Sequence, residues 1–207
     1  MAAQSRFGQH VLLWLLLPVV LVVAVPAIPD PGFARIAPEE IAGNTRLLGA
    51  QANNAAMLRA RTLFERVAVR SGLLAWSFAT FAPVSSGRVR IAPGRRAATA
   101  YLRRVWWTVY KGCYRFEIAT SWLMATGLVV AAAFLDGTVR RRIKSFEFGY
   151  FNPVAFHLSA HGLVGLFGLL FALPFVPFGI QQWAWPLLIA GLAFGAWKAA
   201  ESYQAGA

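Results

Sequence analysis

The chain has 207 residues, of which 58% are hydrophobic and 14% are charged. A soluble domain of this size carries about 25% charged residues, so the composition excludes an ordinary soluble class and indicates a membrane protein. The 20 Lys and Arg residues against 8 Asp and Glu residues suit an anionic lipid surface or nucleic acid, and a single cysteine, Cys113, excludes an intramolecular disulfide.

The first predicted element is a membrane span at Val11–Ile28, which is uncharged throughout. At 1.5 Å per residue these 18 residues extend about 27 Å, close to the thickness of the hydrocarbon layer. A cluster of prolines ends the run. The alternative is a cleaved signal peptide, for which Val25-Pro26-Ala27 is a poor cleavage site. We therefore predict an N-terminal membrane anchor over residues 1–30.

Residues 31–117 are predicted to form an amphipathic, basic, aromatic-rich helical segment. Pro38 followed by two glutamates is typical of a helix start. Arg61 and Glu65 are spaced to pair one helical turn apart. We interpret this part as a helix lying on a membrane or against a partner helix, and a nucleic-acid-binding arm is the alternative. The apolar stripe from which the helix is predicted comprises Met57, Ala60, Phe64, Val67 and Leu74.

The uncharged stretch Ser71–Gly87 is too short in apolar residues for a further span. Pro83 and two serines interrupt it, which favours a buried or interfacial segment. Residues Arg88–Arg96 are basic and broken by proline and glycine, so they are predicted to form an exposed loop.

Basic and aromatic residues alternate shortly before the next apolar run. Such mixtures occupy the headgroup depth of membranes, although they also suit single-stranded nucleic acid. The membrane interpretation is favoured because the segment leads directly into the span that begins at Ile118. The residues predicted to lie at the interface are Arg103, Arg104, Trp106, Trp107, Lys111 and Arg115.

A three-span membrane domain is predicted over residues 118–207. Its first span is Ile118–Leu135, and a basic loop over residues 136–152 follows. Placing one Arg or Lys at the centre of a membrane helix costs about 2.5–3.5 kcal/mol, so the loop is expected to remain in headgroups and water. The cations predicted to face lipid or a partner protein are Arg140, Arg141, Arg142 and Lys144.

The uncharged run from Phe148 to Trp197 contains 50 residues, too many for one crossing. Prolines, a glycine and two glutamines divide it, which predicts spans at Val154–Val176 and Trp183–Ala200. The expected fold class is therefore an all-α integral membrane protein with about four transmembrane helices and an amphipathic segment between the first and second. Glycines in the last two spans predict close helix packing.

Orientation follows from the short basic loop. The positive-inside rule places residues 136–152 in the cytoplasm, which makes both termini cytoplasmic in a multi-pass protein. The long segment Pro31–Glu117 then lies outside, although it holds 14 of the 20 basic residues.

A polar site for chemistry has weaker support. His157 and His161 lie one helical turn apart and are spaced to share a metal, but no third ligand lies at a diagnostic spacing. Glu147 is interpreted as a charge partner of the basic residues rather than a catalytic acid. The favoured prediction is thus a protein without cofactor, metal or catalytic residues.

The region from Tyr101 to His161 resembles a family of small bacterial inner-membrane proteins encoded by integrating conjugative elements and defined by a domain of unknown function. The resemblance rests on the basic tryptophan-rich segment, the span, the sequence from Arg140 to Gly149 and the two histidines. It implies a place beside a type IV secretion apparatus that moves DNA between cells.

The function expected from the sequence is a non-enzymatic scaffold or accessory subunit of that apparatus. Its partners would be the lipid bilayer and other membrane subunits, with direct nucleic-acid contact disfavoured. The alternative is a membrane-embedded enzyme or small transporter that uses His157 and His161.

Overall fold

A computed structural model describes residues 2–82, 93–147 and 153–203. Every regular element within these ranges is helical, which confirms the all-α prediction. Short 3-10 turns lie at Val25–Ala27, Pro31–Phe33 and Leu173–Phe175, and a π turn lies at Glu65–Arg70. The α-helices are α1 (Ala2–Ala24), α2 (Pro38–Leu48), α3 (Ala50–Phe64), α4 (Leu73–Phe81), α5 (Pro93–Phe146), α6 (Pro153–Ala172) and α7 (Ala184–Ser202).

The helices form two compact units. Unit 1 comprises Met1–Leu16, Ala119–Phe171 and Trp183–Ala207, and unit 2 comprises Leu17–Ile118 and Ala172–Gln182. The predicted division into an anchor (1–30), a middle segment (31–117) and a three-span domain (118–207) stays a prediction.

Within the described ranges, three helices are long and apolar enough to cross a membrane: Gly8–Ala27, Gly94–Phe146 and Val154–Phe175. They cover the first three predicted spans except for the last residue of the first, Ile28, and of the third, Val176. The predicted fourth span forms α7, but this helix takes in Lys198 and Glu201, which reduce its mean hydropathy. The count of about four spans is therefore not confirmed.

The predicted basic loop 136–152 is wrong over its first part, because α5 stays helical through Phe146. The sequence argument treated the transition from apolar to charged residues as the end of a helix. Charge excludes a residue from hydrocarbon but does not end a helix, and Asp136 and Arg140 form an ion pair one turn apart that supports it. Residues 148–152 lie outside the described ranges.

In unit 2 the helical pattern predicted from Met57 is present but changes register. Ala60 is fully buried as expected, whereas Val67 is 45% exposed and Ala68 is buried in its place. The π turn at Glu65–Arg70 is the cause, since its wider turn rotates the following side chains around the helix axis. The predicted pair of Arg61 and Glu65 is confirmed at 3.0 Å.

Two glycines with positive φ connect the short helices of unit 2. Gly49, at φ 84°, joins α2 to α3, and Gly72, at φ 76°, precedes α4. Other residues rarely adopt this conformation, so glycine allows the chain to reverse here. The predicted apolar segment Ser71–Gly87 forms the nine-residue helix α4 as far as Phe81, and residues 83–92 lie outside the described ranges.

In unit 1 the glycines of α6 and α7 lie at contacts with other helices. A Cβ at Gly195 would lie 3.0 Å from Leu163, and the ring of Trp14 occupies the position where a Cβ at Gly168 would be. Gly162, in contrast, has no neighbour within 4 Å. Small residues thus allow close helix approach at some of the predicted positions.

Candidate functional site

An ion pair between Arg115 of α5 and Glu40 of α2 lies in the interior of unit 2. Arg115 Nε donates to Glu40 Oε1 at 2.8 Å, and Nη2 donates to Oε2 at 2.7 Å. Both side chains are only 1% exposed. Two parallel charge-assisted hydrogen bonds of this kind fix the guanidinium and the carboxylate in one geometry.

The same pair also holds the segment that follows α6. Arg115 donates to the carbonyl oxygens of Val176 at 2.8 Å and Phe178 at 2.6 Å, and Glu40 Oε2 accepts from the backbone N–H of Ile180 at 3.2 Å. With the carbonyl of Pro174, which accepts from Nη1 at 3.4 Å, all five N–H groups of the guanidinium have acceptors. These hydrogen bonds join α2, α5 and residues 172–182. The role of the two buried charges is therefore structural.

Two other buried polar side chains of α5, Tyr114 and Lys111, also form hydrogen bonds with other parts of unit 2. Tyr114 Oη accepts from Asn44 at 3.0 Å and donates to Asn53 at 2.9 Å, and all three residues are buried. The ammonium group of Lys111, also fully buried, donates to the carbonyl of Phe33. Buried polar groups with such partners hold the helices of unit 2 in register.

The predicted interfacial set is thus divided by the structure. Lys111 and Arg115 lie inside unit 2, so they do not present their charges to a membrane surface. Arg103 is exposed, and Trp107 is 43% exposed. For these outward residues the interfacial location stays a prediction.

The other two members of the set bind neighbouring helices. Arg104 Nε donates to the carbonyl of Pro26 at 2.8 Å, and Trp106 Nε1 donates to Ser77 Oγ at 3.0 Å. The first contact joins α5 to the end of the N-terminal span, and the second joins α5 to α4.

Beside these contacts, α3, the π turn, α4 and α5 enclose an open apolar groove of about 570 Å³. The ring of Phe64 meets Trp106 and Tyr110 edge to face, with centroids 6.2 Å and 5.6 Å apart. The groove is lined by Arg61, Phe64, Glu65, Val69, Leu74, Phe78, Arg103, Trp106, Trp107 and Tyr110. We call it the aromatic groove. Sequence reasoning identified several of its members but not the cavity.

The predicted basic cluster lies on the last turns of α5 in unit 1. Arg140 pairs with Asp136 at 3.1 Å and lies over the ring of Trp197, while Arg141 lies over the ring of Tyr203. These contacts fix the guanidinium groups without burying their charge, since Arg140 remains 56% exposed. That the cations of this cluster contact lipid or a partner protein stays a prediction.

The other two cations of the cluster, Lys144 and Arg142, differ in whether they have an ion-pair partner among the described residues. Lys144 bonds to Glu201 Oε1, and Lys198 bonds to Glu201 Oε2 at 2.7 Å. Both lysines therefore pair with the one carboxylate of Glu201. Arg142 is exposed.

The two histidines lie one turn apart on α6, as predicted, and His161 contacts helix α1. His161 Nδ1 lies 3.3 Å from Nδ1 of His10, and His10 Nε2 accepts from Trp14 Nε1 at 3.0 Å. His157 packs its ring against Phe156. Glu147 is exposed at the end of α5. Within the described residues, no group of three possible metal ligands occurs.

The fold and these sites define a class: a protein that is helical throughout its described part, where three helices are span-capable and one compact helical unit is held by a buried ion pair. Residues 39–204 match the family model described as "DtrJ-like: IncC plasmid conjugative DNA transfer protein DtrJ-like", and the chain belongs to this family. The match confirms the resemblance to proteins of conjugative elements and implies a role in conjugative DNA transfer. Neither the curated proteins nor the solved structures contain a match.

Proposed function

We propose that this protein is a non-enzymatic scaffold or accessory subunit in the inner membrane, within a type IV secretion-like apparatus for conjugative DNA transfer. One observation carries the proposal. In the most apolar 18-residue stretch of each span-capable helix, only 11%, 11% and 17% of the residues, in chain order, are buried within the structure. Such faces need lipid or the helices of other subunits around them.

A non-enzymatic role is supported by the use made of the charged side chains. Arg115, Glu40 and Lys111 are buried and hydrogen-bonded in contacts that join helices. In unit 1, Lys144 and Lys198 share the carboxylate of Glu201. Charges committed in this way stabilise a framework, which suits a scaffold better than a centre for proton or group transfer.

The membrane arrangement that we propose has α7 as a fourth span and both termini in the cytoplasm. The four cations near the end of α5 then lie inside, in agreement with the positive-inside rule.

Reporter fusions test this arrangement. A reporter that is active only outside the cytoplasm is expected to be active when fused at Gly94 and inactive when fused at the C-terminus. With three spans the C-terminal fusion would instead be active, because the two termini would lie on opposite sides. An inactive Gly94 fusion would contradict the proposed orientation of the segment between the first two spans.

Copurification tests the role itself. From cells that carry the complete conjugative element, the tagged protein is expected to remain in the membrane after carbonate washing and to copurify with channel or coupling subunits after detergent extraction. A tagged copy expressed without the element is the control for nonspecific capture. A solitary monomer from the complete system, or release by carbonate, would contradict the proposal.

A further inference from the structure

The aromatic groove lies beside the contacts of Trp106 and Phe64 that join α3, α4 and α5. Its volume of about 570 Å³ lies in the range of ligand-binding cavities, which is roughly 300–1,000 Å³. Its lining is mostly apolar and aromatic, with charged groups only at Arg61, Glu65 and Arg103. This composition suits a ligand that is largely hydrocarbon and carries a polar end.

The charges of the lining favour an anionic ligand. Arg61 and Glu65 neutralise one another at 3.0 Å. Arg103 is exposed and, among the described residues, has no ion-pair partner. Among the described residues that line the groove, Arg103 therefore carries the uncompensated charge, and a guanidinium matches the geometry of a phosphate.

Contacts within unit 2 locate the groove relative to the membrane. The first span-capable helix ends at Ala27, and at this end Tyr101 donates to the carbonyl of Val23 at 2.8 Å. The third ends at Phe175, whose ring lies where a Cβ at Gly112 would be. The ends of two spans thus meet α5 between Tyr101 and Gly112.

That stretch of α5 contains Arg103, Trp106, Trp107 and Tyr110, which form one wall of the groove. Where membrane helices end, the surroundings are phospholipid headgroups and the first carbons of their acyl chains. The occupant available to the groove at this depth is therefore a membrane lipid.

We propose that the aromatic groove binds one anionic phospholipid, with part of an acyl chain among the aromatic side chains and the phosphate at Arg103. The inference rests on the membrane location in the proposed function. It differs from general attraction to an anionic surface, because it assigns one site and one cation out of the 20 basic residues of the chain.

The test uses the full-length protein in detergent, with phosphatidylglycerol or phosphatidylcholine added and bound lipid counted by native mass spectrometry. The wild type is expected to retain one phosphatidylglycerol in preference to phosphatidylcholine. Arg103→Gln is expected to weaken this binding about fivefold, the effect of one basic residue at an anionic surface. Arg70→Gln is the matched control, since Arg70 is exposed in unit 2 but does not line the groove. Equal loss in both variants would overturn the proposal.

A second variant tests the cavity. Leu74→Trp is expected to fill the groove and displace the lipid, whereas Leu58→Trp, at a 67% exposed position outside the groove, is not. Circular dichroism establishes that both variants fold. If Leu74→Trp does not fold, the Arg103 and Arg70 variants still decide the question.

A photoreactive amino acid in place of Leu74 distinguishes the occupants in cells. Cross-links to phospholipid support the proposal, and cross-links to a protein overturn it. Failure of the membrane location itself would appear separately, as release of the protein by carbonate. A carbonate-resistant protein without preference for phosphatidylglycerol would refute the lipid site alone.

Discussion

Replacement of Arg115 with alanine is expected to destabilise unit 2 by about 3–5 kcal/mol, the usual cost of removing one partner from a buried ion pair. The carboxylate of Glu40, 1% exposed, would lose its two guanidinium hydrogen bonds and remain in the interior. Natural domains are stable by only about 5–15 kcal/mol, so a loss of this size removes between about a fifth and all of the folding free energy. Thermal unfolding in detergent, followed by circular dichroism, measures the effect.

The matched control is Arg59→Ala, which removes an exposed pair with Glu117 in the same unit. Arg59 is 51% exposed, and surface pairs of this kind contribute about 0–1 kcal/mol. A double replacement, Arg115→Met with Glu40→Leu, is expected to recover part of the stability, because no unpaired charge remains buried. Equal loss in the Arg115 and Arg59 variants would contradict the assigned role of the buried pair.

The sequence predicted the helices more completely than their surroundings. The helix start expected at Pro38 is confirmed. It could be predicted because proline at the first position costs no hydrogen bond, and this effect is local. The three span-capable helices could also be predicted, since their apolar content depends on composition alone. The burial and the partner of each charged side chain could not be predicted, because they depend on contacts with residues far away in sequence.

Arg115 and Lys111 illustrate this limit. Their neighbours in sequence are aromatic and basic, which indicated a membrane surface. Arg115 bonds to Glu40 and to the carbonyl of Val176, and Lys111 bonds to the carbonyl of Phe33. These partners lie about 60 or more positions away in sequence, a separation that no local pattern records. One signal was available: Glu40 is one of only 8 acidic residues, and an acid in a basic chain needs a partner.

The aromatic groove could not be predicted from the sequence for a related reason. Its residues on α5 were recognised as a group, but Phe64 and Leu74 belong to helices whose relative rotation depends on the π turn at Glu65–Arg70. A stripe calculated with a constant period passes through Val67, whereas the structure buries Ala68. One wide turn therefore changes which side chains line a cavity without changing the helical pattern around it.

Replacement of Gly137 with alanine is expected to destabilise unit 1 by about 1–3 kcal/mol, the usual cost of overpacking. A Cβ at this position would clash with the carbonyl oxygen of Trp197 and lie 3.0 Å from Ala200 Cβ. The carbonyl belongs to the backbone of α7, so it cannot move aside as a flexible side chain would. In a protein of this size, a loss of that order lowers the melting temperature by about 2–12 °C.

Gly127→Ala is the control on the same helix and in the same unit, since no atom lies within 4 Å of its Cβ position. Alanine is the better helix former by about 0.5–1 kcal/mol, so this variant is expected to melt at the same temperature as the wild type or above it. Both variants replace glycine with alanine on the same helix. A lower melting temperature for Gly137→Ala and an unchanged or higher one for Gly127→Ala would therefore show that α7 lies close to α5 at Gly137. A rise in melting temperature for both would show that the helices are not in contact at Gly137.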